Sequence, residues 1–456
     1  MYKNNPWQKR LFFAILSFAL AAGTEALAAD TKVTAFDSVT TALEYSPRLN
    51  ILQTNQEAIL YELDRAKGNF YPQVDVTFGY GAEAHSDIYT RARGIEHNFY
   101  DRLEANIRLS QLLYDGDEVG SQVAIEESKL VSAGHRVVDN AESIALDAIL
   151  AHMEVYRQRE LVSLADMNVN DHFKILEQLK QRQEAGAGSI ADVDQTQSRL
   201  ARTNASRSEV QEKLRVAEAN YLRIVGKLAG DVEMVQIPAD LMPKTLDDAI
   251  AQTMKNNPKV LALDANIEEA DNRIDLSNSS FYPKIYADLI SDYQDNVESS
   301  ETYEHNNRAM LNVRWNIFDG YYDVNDRKAA IARKMQAIAT RDDQNDRVVE
   351  EARVTWAALE TARKQVVNFG DAVNYSQKTL DSYLKQFNVG QRTLLDVLDA
   401  RNELFQNSVL LITAKVNEIA AAERLLTLSG LLLESLKIDD RAYFAEVVKN
   451  EQKDNK

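Results

Sequence analysis

The most informative segment of the sequence is Gly390-Gln391-Arg392-Thr393-Leu394-Leu395-Asp396-Val397-Leu398-Asp399-Ala400-Arg401-Asn402-Glu403-Leu404. Gly390 can adopt the left-handed conformation that ends a helix, and Thr393 is a natural N-cap for the next helix. Asp396 and Asp399 stand three positions apart, so both carboxylates face one side of that second helix. The stretch therefore predicts a tight turn between two helices, with two acidic groups directly beyond it.

The composition favours long, uninterrupted helices. Hydrophobic residues make up 45% of the 456 residues and charged residues 27%, which is typical of a folded chain. Gly (16 residues) and Pro (7 residues) are scarce for this length. Because these two residues punctuate regular structure, their scarcity predicts few breaks in it.

Charge and residue types exclude several classes of function. The net charge of −18 argues against a nucleic acid partner bound through its phosphates and is consistent with an acidic surface or channel lining. The chain has no cysteine, which excludes disulfides, thiolate metal sites and cysteine nucleophiles. The six histidines lack metal-ligand spacing, and no phosphate-binding loop, dinucleotide fingerprint or nucleophile elbow is present. We therefore predict no catalytic residue, no metal and no cofactor, and a protein that is not an enzyme.

The N-terminus has the features of an export signal. Lys3, Lys9 and Arg10 precede an apolar run over residues 11–22, and Ala26-Leu27-Ala28 offers a cleavage site. We predict a signal peptide over residues 1–28. The alternative, a membrane anchor, is disfavoured because the apolar run is shorter than the roughly 20 residues that a spanning helix needs.

The rest of the chain is two copies of one unit. Phe70-Tyr71-Pro72 recurs 211 positions later as Phe281-Tyr282-Pro283, and Leu112–Gly116 recurs 204 positions later as Asn316–Gly320. The second offset also relates Asp192 to Asp396 and Gly226 to Gly430. An offset held over so many residues indicates a duplication. We predict a first repeat over 29–245 and a second over 246–456, which ends in a tail.

Each repeat is predicted to contain a helix, a β-hairpin, a very long helix, a turn and a returning helix. The hairpins are placed at 71–113 and 282–318, with long polar loops at 84–101 and 294–307. In the first hairpin, Val74, Val76, Phe78 and Tyr80 alternate with polar or small residues. This alternation suits a membrane barrel strand, and it suits equally a half-buried sheet of a soluble domain.

The long helices are predicted over 117–185 and 321–389, which contain no proline and carry apolar residues at alternating spacings of four and three. At 1.5 Å per residue each would be about 100 Å long, which suits a coiled-coil rod or tube. The returning helices, over 189–225 and 393–429, are half as long. To cover the long helix, each must be continued by the helix that precedes the strands. Four strands cannot close a barrel, so strands in a membrane would require several copies of the chain.

These features together resemble the TolC-like outer-membrane efflux protein family (outer-membrane factors). The resemblance covers nearly the whole mature chain and rests on the duplication, the paired Phe-Tyr-Pro and aromatic-Asp-Gly motifs, and the Gly390–Leu404 stretch. It implies a fold that is mainly α with a β-barrel part, in which a homotrimer forms a 12-stranded β-barrel continuous with a periplasmic α-barrel.

The resemblance also implies location, partners and activity. The protein would lie in the cell outer membrane with a periplasmic portion, in contact with outer membrane lipid. It would dock on a periplasmic adaptor (membrane fusion) protein and an inner-membrane ABC or proton-driven transporter. As the exit duct of a tripartite efflux or type I secretion system, it would passively pass small molecules or polypeptides. The competing hypothesis from the residues alone is a soluble periplasmic coiled-coil adaptor or structural rod.

The resemblance places a periplasmic gate at Asp396 and Asp399, where a ring of carboxylates would attract cations and have pKa values raised in part. A local explanation competes for Asp396, because Thr393 and Asp396 have capping-box spacing. Ser189 and Asp192 share that spacing in the first repeat. Capping does not explain Asp399, whose counterpart is Gln195, so the gate interpretation is stronger there.

The resemblance assigns further residues around the gate and at the membrane. Arg392 and Asp192 would tether neighbouring helix pairs, and Phe387 occupies a position where a tyrosine can join the tether; Arg392 could equally be a solvated turn residue. The tip turns, 186–189 and 390–393, are assigned to Gly186, Gly188, Gly390 and Thr393. Aromatic residues where strands meet helices would form a belt at the membrane interface or pack in a core. These are Phe70, Tyr71, Tyr114, Phe281, Tyr282 and Phe318.

Overall fold

The computed structural model describes residues 32–186, 188–299 and 302–439. The predicted signal peptide at 1–28 and the part of the C-terminal tail from 440 to 456 lie outside the described residues. The observed elements confirm the predicted class, which is mainly α with a small antiparallel sheet.

The two repeats share their main helices and strands in the same order, whereas the short helices α3 and α10 each occur in one repeat alone among the described residues. The first consists of α1 (Ala35–Tyr45), α2 (Pro47–Gly68), β1 (Gln73–Glu83), α3 (Ile88–Arg93), β2 (Tyr100–Tyr114), α4 (Glu118–Glu184) and α5 (Ile190–Val225). The second consists of α6 (Leu246–Asn256), α7 (Pro258–Ser279), β3 (Lys284–Asp295), β4 (Tyr303–Arg314), α8 (Tyr322–Asn388), α9 (Leu394–Leu428) and α10 (Leu432–Ser435). The short helices α1, α3, α6 and α10 are elements that the sequence analysis missed.

Capping residues explain where the helices before each hairpin begin. The Ser46 side chain caps α2 and the Asn257 side chain caps α7, each followed by a proline at the first helical position. Proline suits that position because its missing N–H would have no partner inside the helix. The same Asn-Pro or Ser-Pro step ends α1 and α6, since the residue before a proline disfavours the helical conformation.

The strands form one antiparallel sheet in the order β1-β2-β3-β4. The register places Val74 opposite Leu109, Leu109 opposite Leu289 and Leu289 opposite Ala309, so one face is apolar across all four strands. Most of the large apolar side chains on this face are exposed, as Val76 is to 68%. The sheet is therefore not covered by the helices, and within the described residues β1 and β4 are its two edges.

Three predictions about the hairpins were wrong. The loop at 84–101 contains α3, whose start is capped reciprocally by Asp87 and Thr90. The second loop is shorter than 294–307, because β4 begins at Tyr303 opposite Asp295. Residues 303–307 are mostly polar and lack an apolar alternation, but backbone pairing does not require one. At its other end β4 stops at Arg314, so Trp315 and Ile317 lie beyond the strand.

The long helices α4 and α8 have 67 residues each, which corresponds to about 100 Å. The shorter helices stack end to end beside them. A Cβ added at Gly226, after α5, would lie 2.5 Å from the ring of Tyr45, which ends α1 just before α2 begins. A Cβ at Gly430, after α9, would lie 2.9 Å from the carbonyl oxygen of Asn256, which ends α6 just before α7 begins. Two half-length helices thus cover each long one, as the lengths predicted.

The main core surrounds the middle of α4. It contains residues of α1, α4, the last turns of α5 and α9, the segment 232–235 and α10. The buried Glu142 carboxylate accepts the backbone N–H groups of Leu432 and Leu433 at 3.2 Å each and so caps α10. The imidazole of buried His152 joins Ser38 and the Glu233 carbonyl group at 2.8 and 2.7 Å. These polar contacts fix the ends of both repeats to α4.

Taken over the described residues, none of the helices has both the length and the apolar character needed to cross a lipid bilayer.

Candidate gate at the tip of the long helices

Each long helix is followed, two residues after its last residue, by a glycine with left-handed backbone. Gly186 has φ of 72° and Gly390 has φ of 79°, a conformation in which a Cβ would be strained. The Gly390 N–H donates to the Phe387 carbonyl at 3.0 Å, and the next N–H donates to that of Gln386 at 2.9 Å. These bonds satisfy carbonyl groups that the helix end would leave free. Glycine at this point therefore allows the chain to reverse between the long and the returning helix.

The turn of the first repeat leaves no room for a side chain at one position. A Cβ added at Gly188 would lie 3.0 Å from the backbone nitrogen of Gln183. The corresponding position of the second repeat is Arg392, whose turn accommodates a long cationic side chain. The tips of the two repeats therefore differ in shape and in charge.

Asp396 forms a complete capping box with Thr393. The Thr393 hydroxyl accepts the Asp396 N–H at 3.3 Å, and the Thr393 N–H donates to the Asp396 carboxylate at 3.2 Å. The hydroxyl also donates to this carboxylate at 2.8 Å. The hydrogen bonds from Thr393 hold the pKa of Asp396 below its usual value within one chain. The raised pKa values expected for a ring of carboxylates concern several copies of the chain and stay a prediction.

The first repeat caps its returning helix differently. Ser189 accepts the N–H of Ala191 at 3.2 Å, rather than that of Asp192. The proposed equivalence between Ser189-x-x-Asp192 and Thr393-x-x-Asp396 therefore fails in its geometry. Capping accounts for Asp396 and leaves the side chain of Asp192 without that role.

Asp399 contacts the other repeat. Its carboxylate lies 2.8 Å from the guanidinium of Arg199 on α5, with the two side chains 61% and 29% exposed. Two residues further along α9, Arg401 lies 3.0 Å from Asp171 of α4. Two ion pairs thus join the start of α9 to the first repeat. Sequence reasoning missed both cations, although Arg401 lies in the quoted stretch.

Arg392 folds back on its own turn. Its Nε donates to Gln386 at 2.9 Å, and its guanidinium lies 4.3 Å from the centre of the Tyr383 ring. The Phe387 ring has a cation of its own, since the Arg182 guanidinium lies 4.8 Å from the ring centre. Among the described residues, no ion pair joins Arg392 to Asp192 in one chain.

The six aromatic residues at the junctions of strands and helices are all exposed. Phe318 makes an edge-to-face contact with Tyr321 at 5.6 Å, and the Trp315 indole donates to the Phe281 carbonyl at 3.1 Å. Exposure rules out the alternative that these residues pack in a core of their own chain. The six exposed side chains can therefore contact a surface outside their own chain where the strands meet the helices.

Charged and amide side chains link the strands on the other face of the sheet. Asp292 of β3 contacts both Asn106 of β2 and Arg308 of β4. Arg102 of β2 lies 2.9 Å from Glu83 of β1. Opposite charges on neighbouring strands stabilise the pairing. One face of the sheet is therefore apolar and the other carries a paired polar lattice.

Solved structures of outer-membrane channels share this fold. The outer membrane channel CmeC of Campylobacter jejuni matches with a TM-score of 0.74 and 12% identity, over 96% of this chain and 94% of that chain. This chain therefore shares the fold of that protein, with its four strands and long stacked helices.

The sequence assigns the family. The model of the family "Outer membrane efflux protein" matches residues 39–227 and 249–431, and the chain belongs to this family, which confirms the resemblance seen in its motifs. It is an outer-membrane protein of a family of channels, which act as exit ducts for efflux or secretion.

Named relatives cover most of the chain. The outer membrane efflux protein BepC of Brucella suis is 25% identical over 71% of this chain and 71% of its own. The outer membrane protein TolC of Vibrio cholerae is 23% identical over 88% and 91%. The proteases secretion protein PrtF of Dickeya chrysanthemi is 21% identical over 88% and 89%.

Proposed function

We propose that three copies of this chain form the outer-membrane duct of a tripartite export system, closed at rest by the helix turns at its periplasmic tip. A periplasmic adaptor and an inner-membrane ABC or proton-driven transporter would deliver the cargo. The observation that carries the proposal is a sheet with an exposed apolar face and two open edges, joined to helices about 100 Å long. The duct performs no chemistry on its cargo.

Closure of the sheet explains the number of copies. Four strands per chain leave β1 and β4 without partners at the two edges, and three chains supply twelve strands for one barrel. The apolar face then contacts lipid, and the paired polar lattice around Asp292 faces the lumen. The six junction aromatics lie at the membrane interface, where their amphipathic rings are favoured.

The tip is the gate. Three copies bring Asp396 and Asp399 together as a ring of carboxylates that attracts cations and narrows the path. Arg392, Asp192 and Phe387 lie beside the turns and tether neighbouring helix pairs. Within each chain, the ion pairs of Asp399 with Arg199 and of Arg401 with Asp171 hold α9 against the first repeat.

The relatives support two classes of cargo. BepC is named as an efflux protein and PrtF as a proteases secretion protein, and the two match this chain to a similar degree. Small molecules and polypeptides are both compatible with a passive duct. A soluble adaptor or rod, the competing hypothesis, would not require an exposed apolar face on its sheet.

Two adjacent substitutions test the lipid contact. Val76 lies on the apolar face of β1 and Thr77 on the opposite face. Arginine on the lipid side near the bilayer midplane costs about 2–4 kcal/mol, whereas arginine on the lumen side does not meet lipid. We expect Val76→Arg to reduce the trimer recovered from outer membranes, measured by its heat-modifiable migration in gels, and Thr77→Arg to leave it near the unmodified level. Equal recovery of both variants would contradict the proposal, as would an unmodified chain recovered as a periplasmic monomer.

A further inference from the structure

The boundary between the two repeats of one chain is an interface that the chain contains only once. Along it, α4 of the first repeat packs against α7 of the second. Because the repeats are duplicates, α8 of the second repeat should require the same neighbour, which is a copy of α2. No α2 of the same chain packs against α8 among the described elements.

Specific contacts define the α4–α7 boundary. Lys259 Nζ lies 3.9 Å from Asp139 Oδ1, and this is its cation–carboxylate pair. The Ser132 hydroxyl lies 2.7 Å from Asn266 Oδ1 and donates to the Ala262 carbonyl at 3.1 Å. The Asn272 amide donates to the Ser128 hydroxyl at 3.0 Å. The two helices run antiparallel, since the partners on α4 descend from 139 to 128 as those on α7 ascend.

The duplication maps this boundary onto residues that have no such neighbour in one chain. α2 and α7 both contain 22 residues and differ by the offset of 211, and α4 and α8 both contain 67 and differ by 204. On α2 the mapped residues are Arg48 for Lys259, Ile51 for Ala262, Asn55 for Asn266 and Tyr61 for Asn272. On α8 they are Ala332 for Ser128, Gln336 for Ser132 and Asp343 for Asp139.

The residues of the α4–α7 boundary and their counterparts on α2 and α8 differ in solvent exposure. Ala262 is 4% exposed in the boundary, whereas its counterpart Ile51 is 66% exposed. Tyr61 is 62% exposed, and Gln336, like Ala332, is exposed where its counterpart serine is buried. Large apolar side chains thus lie uncovered at the positions where the other repeat packs against a helix.

Charge agrees with the mapping. The boundary places a cation on α7 opposite an anion on α4, and the mapped pair keeps both signs, with Arg48 on α2 and Asp343 on α8. Arg48 is exposed, and within the described part of the chain Asp343 forms an ion pair with Arg347 of its own helix, at 2.9 Å. Asn55 and Gln336 are both amides and can replace the bond between Asn266 and Ser132.

We propose that the α8 face formed by Ala332, Gln336 and Asp343 binds the α2 face formed by Arg48, Ile51, Asn55 and Tyr61 of a second copy. The contact is heterologous, so repeating it joins copies head to tail and closes them into a ring when the rotation permits. The proposal rests on the oligomeric duct described above and assigns the residues of its interface. Arg48 and Asp343 form its ion pair, and Ile51 and Tyr61 supply its buried apolar surface.

Disulfide trapping tests the pairing, because the natural chain has no cysteine to interfere. In the double variant Asn55→Cys/Gln336→Cys, oxidation should shift the boiled, non-reduced protein from the mass of one chain to the masses of two and three. Each single variant should stay at the mass of one chain. The matched control is Ser132→Cys/Asn266→Cys, which should form its disulfide within one chain.

The outcomes separate this inference from the proposed function. If the control pair oxidises and the heat-modifiable trimer forms, but Asn55→Cys/Gln336→Cys stays at the mass of one chain, the assigned interface is wrong and the duct stands. If no variant and no unmodified chain forms a trimer, the duct itself fails. A charge exchange provides a second test. Arg48→Asp and Asp343→Arg should each lower the temperature at which the trimer dissociates, and the double variant should restore it; loss without restoration would contradict the pairing.

Discussion

The long helices α4 and α8 have equal lengths and related sequences, but their surroundings differ. α4 is covered by helices of both repeats, and Ile149 at its middle is fully buried. Among the described elements, α8 packs mainly against helices of its own repeat, and Arg353, the counterpart of Ile149, is exposed. The difference shows that a duplicated chain places one copy of each element in the interior of the protomer and the other at its boundary.

The tips of the two repeats also differ in the contacts that their charged residues make with the other repeat. The second repeat carries Asp399 and Arg401, which contact Arg199 and Asp171 of the first repeat. The counterparts of the four residues are Gln195, Gln197, Glu403 and Tyr375, and these cannot form the same two ion pairs. The tip boundary inside one chain is therefore held by charge, and the corresponding boundary in the proposed oligomer would lack these pairs.

The largest expected effect comes from the buried position of the long helices. Ile149→Ala removes a packed side chain from the main core and should lower the free energy of unfolding by about 2–5 kcal/mol. Arg353→Ala, at the equivalent exposed position, should change it by less than about 0.5 kcal/mol. Thermal unfolding followed by circular dichroism measures both. Similar losses in the two variants would show that the helices are equally buried in the assembled protein.

The returning helices α5 and α9 differ in how their stability depends on pH. The expected change in the free energy of unfolding is similar to that of Ile149→Ala or smaller. Burial raises the pKa of Glu423 on α9 to about 7, whereas its counterpart on α5 is the exposed Ala219. The raised pKa means that the carboxyl contributes stability below its unfolded pKa of about 4.3 and loses it as the pH rises towards 7. Glu423→Gln should therefore stabilise the protein on the order of 3 kcal/mol at pH 8 and add nothing at pH 4.

The control for this effect is Glu403→Gln, which changes an exposed carboxyl on the same helix. Melting temperatures of the two variants and the unmodified protein, measured at both pH values, give the comparison. A gain for Glu423→Gln that is the same at pH 4 and pH 8 would mean that the buried carboxyl does not titrate between them.

The smallest effect on stability is expected at the tip. The pair of Asp399 and Arg199 is largely exposed, and such pairs contribute about 0.2–1 kcal/mol. Asp399→Ala should therefore leave the melting temperature almost unchanged. It should raise the conductance in planar bilayers and weaken block by divalent cations, because it frees α9 from α5 and removes a carboxylate from the ring. Gln195→Ala, at the matching position, should alter neither, and equal conductance of the two variants would exclude a gating role for Asp399.

Much of the fold could be predicted from particular residues. The glycines at 186 and 390 predicted both reversals, because glycine readily adopts the left-handed backbone that ends a helix. The short helix α3 and the polar first half of β4 were missed. The start of α3 depends on local capping hydrogen bonds, and the first half of β4 depends on pairing with β3. Neither feature produces a periodic pattern of apolar residues in the sequence.

The candidate site was predictable only in part. Comparison of the repeats separated Asp399 from Asp396, and the Thr393 capping box was visible in its spacing. The partners of the acidic groups were not, because Arg199 and Asp171 are distant in the sequence from Asp399 and Arg401. The lowered pKa of Asp396 also required the hydrogen-bond geometry.

The amino-acid sequence is enough to establish the duplication, the lengths of the helices, the turn at Gly390 and the alternation of the strands, since each depends on neighbouring residues. The three-dimensional fold is needed to establish which copy of each element is buried, which charges meet across the repeats and which helix faces remain uncovered. This is because two copies with nearly the same local preferences must occupy different places along one chain. Gly390–Leu404 illustrates both parts, since its turn follows from local residues whereas its ion pairs depend on the first repeat lying beside it.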